Sequence, residues 1–211
     1  MKIQVFEFNP FAENTYLLID DKKNAVIVDP GCYEEHEIDE INGFISKENL
    51  TICAIINTHC HIDHVLGNEA MKNKYRVDLW VPINEKPVLK AIPSYAPSYG
   101  FHGYREAEVD HWYQEGMLEF GGIQLKAIEV PGHSPGHMVF YNEVNKVLIG
   151  GDVLFRGSIG RTDLPGGNHD QLLRNISEKV YTLPNEVVVY PGHGPETTIG
   201  FEKQYNPFIR G

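Results

Sequence analysis

Seven consecutive residues contain three histidines, an aspartate and a cysteine, all of which can bind a metal ion: Thr58-His59-Cys60-His61-Ile62-Asp63-His64. If the chain is extended there, residues two apart point to the same side, so His59 and His61 can share one ion while Cys60 points away. Asp63 and His64 follow where the chain must turn, and a turn would bring both toward the same cleft. The motif therefore predicts a site for one metal or two, with Cys60 as a packed thiol rather than a ligand.

Three further segments share one design, in which a strand is followed by a Gly- or Pro-rich turn and then by a single metal-binding side chain. They are residues 129–133, 148–152 and 189–193, which end in His133, Asp152 and His193. Glycine lets backbone approach closely, and side chains at strand ends are held more rigidly than those in long loops. If these strands lie side by side, their ends meet at one edge and add three candidate ligands to the motif.

The elements around these turns are predicted in two halves. In the first half, alternating or apolar runs predict strands at 3–8, 15–19, 25–28, 52–56 and 77–81. Ile38, Ile41 and Ile45 predict a helix, and a second is predicted after Asp63. The strand at 52–56 leads straight into the histidine motif. Residues 84–104, rich in proline and tyrosine, carry no clear pattern.

The second half repeats this organisation. Strands are predicted at 117–120, 123–130, 138–141, 146–149 and 187–190. A helix capped by Asn168 or Asp170 carries an apolar stripe, and a short helix closes the chain near 197–204. Two halves of sheet plus helices predict an α/β protein, an αββα four-layer sandwich of two mixed sheets flanked by helices. No Gly-x-Gly-x-x-Gly follows the first strand, so a dinucleotide site is not indicated.

Composition narrows the class of protein. The chain has 211 residues, without repeats or a linker, and predicts a single domain over 1–211. Its net charge of -11, without a Lys/Arg cluster, argues against nucleic acid. The absence of a long apolar run argues against a membrane, while three cysteines and an N-terminus without an apolar signal region predict a cytoplasmic protein. The oligomeric state is not predicted.

The candidate ligands follow the motif order of a known family. His59-x-His61-x-Asp63-His64, followed by His133, Asp152 and His193, resembles the metallo-β-lactamase superfamily, whose fold is the αββα sandwich. The resemblance implies two sites: His59, His61 and His133 in one, Asp63, His64 and His193 in the other. It also implies that Asp152 bridges two divalent ions and that Asp63 is catalytic as well as a ligand. Zinc is the expected metal, with iron and manganese as alternatives.

The loop after Asp152, residues 151–163, is similar to the corresponding loop of glyoxalase II and of persulfide dioxygenases. In glyoxalase II a basic residue there meets glutathione, and Arg161 takes the matching place; a surface arginine or a salt bridge that braces the loop is the alternative. Asp163 departs from the aromatic residue usual in glyoxalase II. The chain ends soon after His193, so we expect no C-terminal glutathione-binding helical domain, as in the short bacterial glyoxalase II-like group.

These observations predict a metal-dependent thioester hydrolase for S-2-hydroxyacylglutathione, such as S-lactoylglutathione, that acts through a metal-bridging hydroxide. A thiolate leaving group needs little acid assistance, whereas an amide would need a proton donor. A bridging Asp152 argues against a true β-lactamase, and the Arg161 loop against a lactonase. The alternative is a persulfide dioxygenase with one iron, held by His59, His133 and Asp152. His137 could orient His133, but a structural histidine at a strand start is favoured.

Overall fold

The computed structural model describes residues 1–211, which form two compact units. The first unit contains Met1–Tyr113 and Glu119–Gln124, and the second contains Gln114–Leu118 and Leu125–Gly211. None of the helices is both long and apolar enough to cross a membrane. The single-domain organisation over residues 1–211 stays a prediction.

The first unit contains a six-stranded mixed sheet in which strand order follows chain order. The first three strands pair antiparallel, and the remaining ones add in parallel. The strands are β1 Lys2–Phe8, β2 Glu13–Ile19, β3 Asn24–Val28, β4 Thr51–Ile56, β5 Leu79–Pro82 and β6 His111–Tyr113. The helices are α1 Glu35–Glu48, α2 Asn68–Tyr75 and α3 Lys86–Tyr95.

Local sequence explains how this unit delivers the histidine motif. The side chains of Glu34 and Glu37 form a capping box at the start of α1, and Ile41 and Ile45 bury its apolar face. This helix returns the chain so that β4 can pair in parallel with β3, and β5 covers the other edge of β4. Because β4 lies inside the sheet it reads as a nearly continuous apolar run, as predicted. It ends at Ile56, two residues before the motif.

The segment without a clear pattern is mostly helical. Turns of 3-10 helix at Ile83–Glu85 and Ala96–Tyr99 flank α3. Pro87 lies in the first turn of α3, where a missing backbone N–H removes no intrahelical hydrogen bond, and Leu89 and Ile92 are buried. Pro87 thus starts this helix, whereas Pro93 lies inside it. Strand β6 was not predicted because only three residues pair with β5.

The second unit contains a mixed sheet in the order β14-β13-β10-β9-β8-β7. Its strands are β7 Gly116–Phe120, β8 Ile123–Glu129, β9 Met138–Asn142, β10 Val147–Gly151, β13 Val188–Pro191 and β14 Thr197–Thr198. A separate two-stranded hairpin, which was not predicted, consists of β11 Leu154–Phe155 and β12 Ser158–Ile159. The helical segments are α4 His169–Asn175, a π-helical turn at Ile176–Val180 and α5 Ile199–Tyr205.

The predicted helix of this unit begins at Asn168. The side-chain oxygen of Asn168 accepts a hydrogen bond from the Gln171 backbone N–H, so Asn168 rather than Asp170 is the cap. Leu172, Ile176 and Val180 are buried on one stripe. Strands β10 and β13 pair in parallel, which places the turns before Asp152 and His193 at the same end of the sheet.

Candidate metal centre

The histidine motif of the first unit forms a compact group of ligands. The ring centroids of His59 and His61 are 4.8 Å apart, and those of His59 and His64 are 4.1 Å apart. A 3-10 turn at Ile62–His64 brings His64 Nε2 to 3.6 Å from Asp63 Oδ2. His59 and His64 are fully buried. The structure thus brings together the four predicted ligands of this unit.

The buried carboxylate of Asp29 organises this group. Its Oδ1 accepts the Thr58 backbone N–H at 2.7 Å, and its Oδ2 accepts the Thr58 hydroxyl at 2.6 Å. Asp29 Oδ2 also lies 3.2 Å from His64 Nδ1, and Thr58 Oγ1 lies 3.1 Å from His59 Nδ1. If each Nδ1 carries the proton, Nε2 of both rings is the nitrogen available to a metal, which is how oriented histidine ligands are usually held.

Two fully buried glutamates flank the same motif. Glu13 Oε1 lies 3.8 Å from His64 Nδ1, and Glu13 Oε2 accepts the Thr15 hydroxyl. Burial raises the pKa of Glu13 well above its usual value. Glu85 accepts the Cys60 backbone N–H at 2.9 Å and so fixes the chain between His59 and His61. Sequence reasoning missed both side chains.

The Cys60 thiol is fully buried in the hydrophobic core of the first unit. Burial raises the pKa of this thiol well above its usual value, and the negative charge of Glu85 adds to the effect. A thiol ligand must lose its proton, so this environment opposes metal binding by Cys60.

In the second unit, one carboxylate oxygen lies between two imidazoles. Asp152 Oδ2 is 3.5 Å from His133 Nε2 and 3.5 Å from His193 Nε2. These distances are long for hydrogen bonds. Two ligands that each lie about 2.1 Å from one tetrahedral ion are roughly 3.4 Å apart, so the spacing suits atoms that share metal ions. The donor set of this unit therefore fits a divalent metal.

Backbone groups fix these three ligands. His133 Nδ1 is 2.8 Å from the Arg161 carbonyl, which leaves Nε2 toward Asp152. The Asp152 N–H donates to Nε2 of the buried His137 at 2.9 Å. The Gly192 N–H donates to the Gly151 carbonyl at 2.8 Å and joins the turns before Asp152 and His193. His137 therefore contacts two predicted ligands, because it accepts the Asp152 N–H and its ring lies 5.9 Å from the His133 ring between centroids.

Gly160 is required by the close approach of the loop to Asp152. A Cβ built on Gly160 would lie 1.9 Å from the Asp152 carbonyl oxygen, a distance that no side chain can adopt. The predicted substrate residue Arg161 follows directly. Its Nε and Nη2 donate to the two carboxylate oxygens of Asp163, each at 2.7 Å, and both side chains are exposed. This bidentate pair is an exposed salt bridge within the loop, and the substrate-binding role of Arg161 stays a prediction.

Asp29 is the functional residue that the sequence could have disclosed. It directly follows β3 in the run Val28-Asp29-Pro30-Gly31, so it is an acidic side chain at a strand end beside a Pro-Gly turn. Its φ of 48° is also unusual for a residue other than glycine. Glu13 offered no such signal, because a glutamate inside a strand is ordinarily exposed.

Comparisons with known proteins agree with this architecture. The family model of the metallo-β-lactamase superfamily matches residues 8–193. Hydroxyacylglutathione hydrolase GloC of Haemophilus influenzae is 37% identical over 213 residues, which cover 99% of this chain and 98% of that protein. The structure of the BLEG-1 B3 metallo-β-lactamase superposes with a TM-score of 0.91 at 36% identity, and each chain is covered completely. TTHA1623 in a di-iron-bound form gives 0.87 at 32% identity over 98% of this chain and all of that one.

The chain therefore belongs to the metallo-β-lactamase superfamily and has its fold, two mixed sheets with flanking helices, which confirms the predicted fold class. Family membership and its hydrolase relatives identify the protein as a hydrolase of the kind that binds divalent metal. The predicted resemblance to the glyoxalase II-like group is confirmed by the similarity to GloC over nearly the full length of both chains.

Proposed function

We propose that the protein hydrolyses thioesters of glutathione with 2-hydroxy acids, such as S-lactoylglutathione. The observation that carries the proposal is the Asp152 carboxylate oxygen, 3.5 Å from both His133 Nε2 and His193 Nε2, as expected of a carboxylate shared by two ions. The similarity to a hydroxyacylglutathione hydrolase along nearly all of both chains supports the choice of substrate.

The proposal assigns seven ligands to two divalent ions, with zinc as the expected metal and iron or manganese as alternatives. His59, His61 and His133 would hold one ion, Asp63, His64 and His193 would hold the other, and Asp152 would be shared by both. When bound, such a pair supplies Lewis acidity and lowers the pKa of coordinated water to about 7, which makes a nucleophile available at neutral pH.

The protein's own residues orient the ligands before any ion arrives. Asp29 and Thr58 hold Nδ1 of His64 and His59, and the Arg161 carbonyl holds Nδ1 of His133. Asp63 acts as both ligand and catalytic residue in this proposal. A thiolate departs without a strong acid beside it, so thioester cleavage asks less of these residues than amide cleavage.

The test combines metal analysis of the purified protein with hydrolysis of S-lactoylglutathione. We expect about two metal ions per chain and a thioesterase activity that a chelator removes and added zinc restores. In Asp63→Ala we expect the loss of one ion and of most hydrolysis. Unchanged turnover in this variant would refute the dinuclear assignment. One iron per chain, oxygen uptake with glutathione persulfide and no thioesterase activity would instead support the dioxygenase alternative.

β-Lactam hydrolysis is a second candidate, favoured by the similarity to the BLEG-1 β-lactamase. A chromogenic cephalosporin assayed beside the thioester separates the two activities. We expect kcat/KM for the thioester to be at least about 100-fold higher, because a β-lactam nitrogen must be protonated as it leaves. A preference for the cephalosporin would overturn the proposed substrate.

A further inference from the structure

We propose that Arg156, on the hairpin that follows Asp152, binds a carboxylate of the thiol portion of the substrate. This inference rests on the proposed function, and it assigns substrate recognition to a different arginine from the one that the sequence indicated. The substrate class is an acyl thioester whose thiol carries carboxylates, as in a glutathione conjugate.

Arg156 lies in the turn of the hairpin formed by β11 and β12, where Phe155 pairs with Ser158. Its guanidinium lies over the Phe201 ring, 5.5 Å from the centroid. The side chain is exposed and makes no ion pair with an acidic residue. A guanidinium that stacks on an aromatic ring keeps its donors in plane and open to a second, anionic partner.

The hairpin lies beside a predicted metal ligand. The ring of Phe155 is 6.3 Å from the ring of His193, measured between centroids. Arg156 is the fourth residue after Asp152, so its Cα lies within about 14 Å of the Asp152 Cα even if the chain is fully extended. An extended tripeptide thiol spans about 10 Å, which is less than this upper limit on the distance between the two Cα atoms.

The turn that carries Arg156 is fixed by the C-terminal helix. The fully buried carboxylate of Glu202 in α5 accepts the Gly157 N–H at 3.0 and 3.2 Å. The Thr197 hydroxyl and the Asn206 amide donate to the same carboxylate, and Asn206 also donates to the Ser158 carbonyl at 3.0 Å. These hydrogen bonds to Gly157 and Ser158 fix the backbone of the turn that carries Arg156, as the position of a binding residue requires.

Charge distinguishes Arg156 from Arg161. Both oxygens of the Asp163 carboxylate face Arg161, so the charge of that pair is neutralised. The protein as a whole carries a net charge of -11, which disfavours the approach of an anion. Arg156 is exposed, has no acidic partner and directly follows Phe155, whose ring contacts His193, so it offers a local site where a carboxylate is stabilised.

Binding can be tested with a thioether that the enzyme cannot hydrolyse. We would measure by calorimetry the affinity of the metal-loaded protein for S-hexylglutathione and for its dimethyl ester, which lacks both negative charges. In Arg156→Gln we expect S-hexylglutathione to bind about five- to tenfold more weakly, as for a lost charge-assisted hydrogen bond, and the diester to bind as before. In Arg156→Lys we expect a smaller loss of S-hexylglutathione affinity, because the positive charge remains but the planar guanidinium with its paired donors does not.

Arg174→Gln is the matched control, since Arg174 is an exposed arginine of the same unit on α4, and it should change neither affinity. With S-lactoylglutathione, Arg156→Gln should raise KM by a similar factor and leave kcat and metal content unchanged. Unchanged S-hexylglutathione affinity in Arg156→Gln, equal losses for ester and acid, or a larger loss in Arg161→Gln would each overturn the inference.

The two proposals fail in different ways. Binding that depends on Arg156, in a protein that hydrolyses no thioester, would support the inference and overturn the proposed function. If the protein hydrolyses thioesters and Arg156→Gln changes neither KM nor the affinity for S-hexylglutathione, the proposed function is supported and the inference is overturned.

Discussion

The two units present their candidate ligands in different ways. In the first unit all four ligands lie within the six residues from His59 to His64 and are oriented by buried side chains that are distant in sequence, among them Asp29 and Glu85. In the second unit the ligands follow three separate strand ends and are held mainly by backbone groups. Parallel pairing of β10 with β13 places two of those ends together.

This difference shows what each arrangement needs. Successive side chains of a strand point to opposite faces, so one strand cannot point four adjacent ligands at the same site. The turn that carries these ligands therefore needs hydrogen bonds from residues elsewhere in the chain. Ligands at separate strand ends are directed by the sheet itself, and only the glycines and one histidine assist. We therefore expect supporting carboxylates to matter more for metal binding in the first unit than supporting residues do in the second.

The largest effect is expected from Asp152→Ala. Because Asp152 is the one proposed ligand of both ions, its removal should lower the affinity for both metals by at least about 100-fold and abolish turnover. Metal content by mass spectrometry checks this expectation. Asp63→Ala, which should release one ion, is the matched control. Equal metal loss in the two variants would show that Asp152 is not shared.

Asp29→Asn should lower metal affinity by about 10- to 100-fold although Asp29 is not among the proposed ligands. The amide keeps the volume but cannot accept hydrogen bonds with both of its former oxygens, so Thr58 and His64 lose orientation. Competition with a chromogenic chelator measures the affinity. Affinity equal to that of the natural protein would refute the idea that the first unit depends on distant support.

His137→Leu tests how much the second unit depends on a supporting side chain. It leaves the buried Asp152 N–H without its acceptor, which should lower the free energy of unfolding by about 1–3 kcal/mol. We expect a smaller change in metal affinity than in Asp29→Asn, because the strand β10 still directs Asp152. Urea unfolding of the metal-free protein gives the stability. In His137→Gln the side-chain carbonyl can accept the same N–H, and most of the stability should return.

Cys60→Ala tests whether the thiol has any part in the first unit's ligand group. Metal content and turnover should stay unchanged, while the loss of a buried sulfur should cost about 1 kcal/mol of stability. Mass spectrometry and thermal unfolding measure the two quantities. The loss of one equivalent of metal would contradict the assignment of Cys60 to the core.

The smallest effect concerns the exposed pair in the second unit. Hydrogen bonds from Arg161 lower the pKa of Asp163 to about 2 from a usual value of 3.8. Because the folded-state pKa is depressed, the stabilisation is present above pH 3.8 and is lost as pH falls through about 2. Carboxyl chemical shifts followed by NMR should show this pKa, and Arg161→Gln should raise it toward the usual value. An Asp163 that titrates at its ordinary pKa would mean that the pair does not persist in solution.

Local patterns predicted most of the fold. In elements such as β4 and α4, buried positions recur at a short and regular spacing. The hydrophobic pattern of a few consecutive residues is therefore enough to predict them. The short strands β6, β11, β12 and β14 escaped prediction because two or three residues contain no period, and β14 occupies the first two residues of the predicted closing helix at 197–204. The helix in residues 84–104 was obscured by proline, because Pro87 in its first turn is favourable but Pro93 in its interior is not.

The predicted ligands could be found because their types and spacing are themselves informative. Among the buried side chains around them, Glu13 and Glu85 could not be found, since both resemble any surface glutamate until the chain folds over them. Arg161 illustrates the same limit. Asp163 is only two residues away in the sequence, but the hydrogen bond between the two side chains is seen only in the folded structure. Residue type reveals what a group can bind, whereas burial and partners decide what it does bind.

The contact between Asp29 and Thr58 also bears on how the chain folds. The two residues follow β3 and β4, which pair in parallel and are joined by the crossover that contains α1. Parallel pairing across such a connection is slow compared with forming a hairpin or a single helix. We therefore expect the first unit to acquire tight metal affinity late in refolding, after its secondary structure has appeared. Stopped-flow refolding with a fluorescent zinc indicator would follow that final step directly.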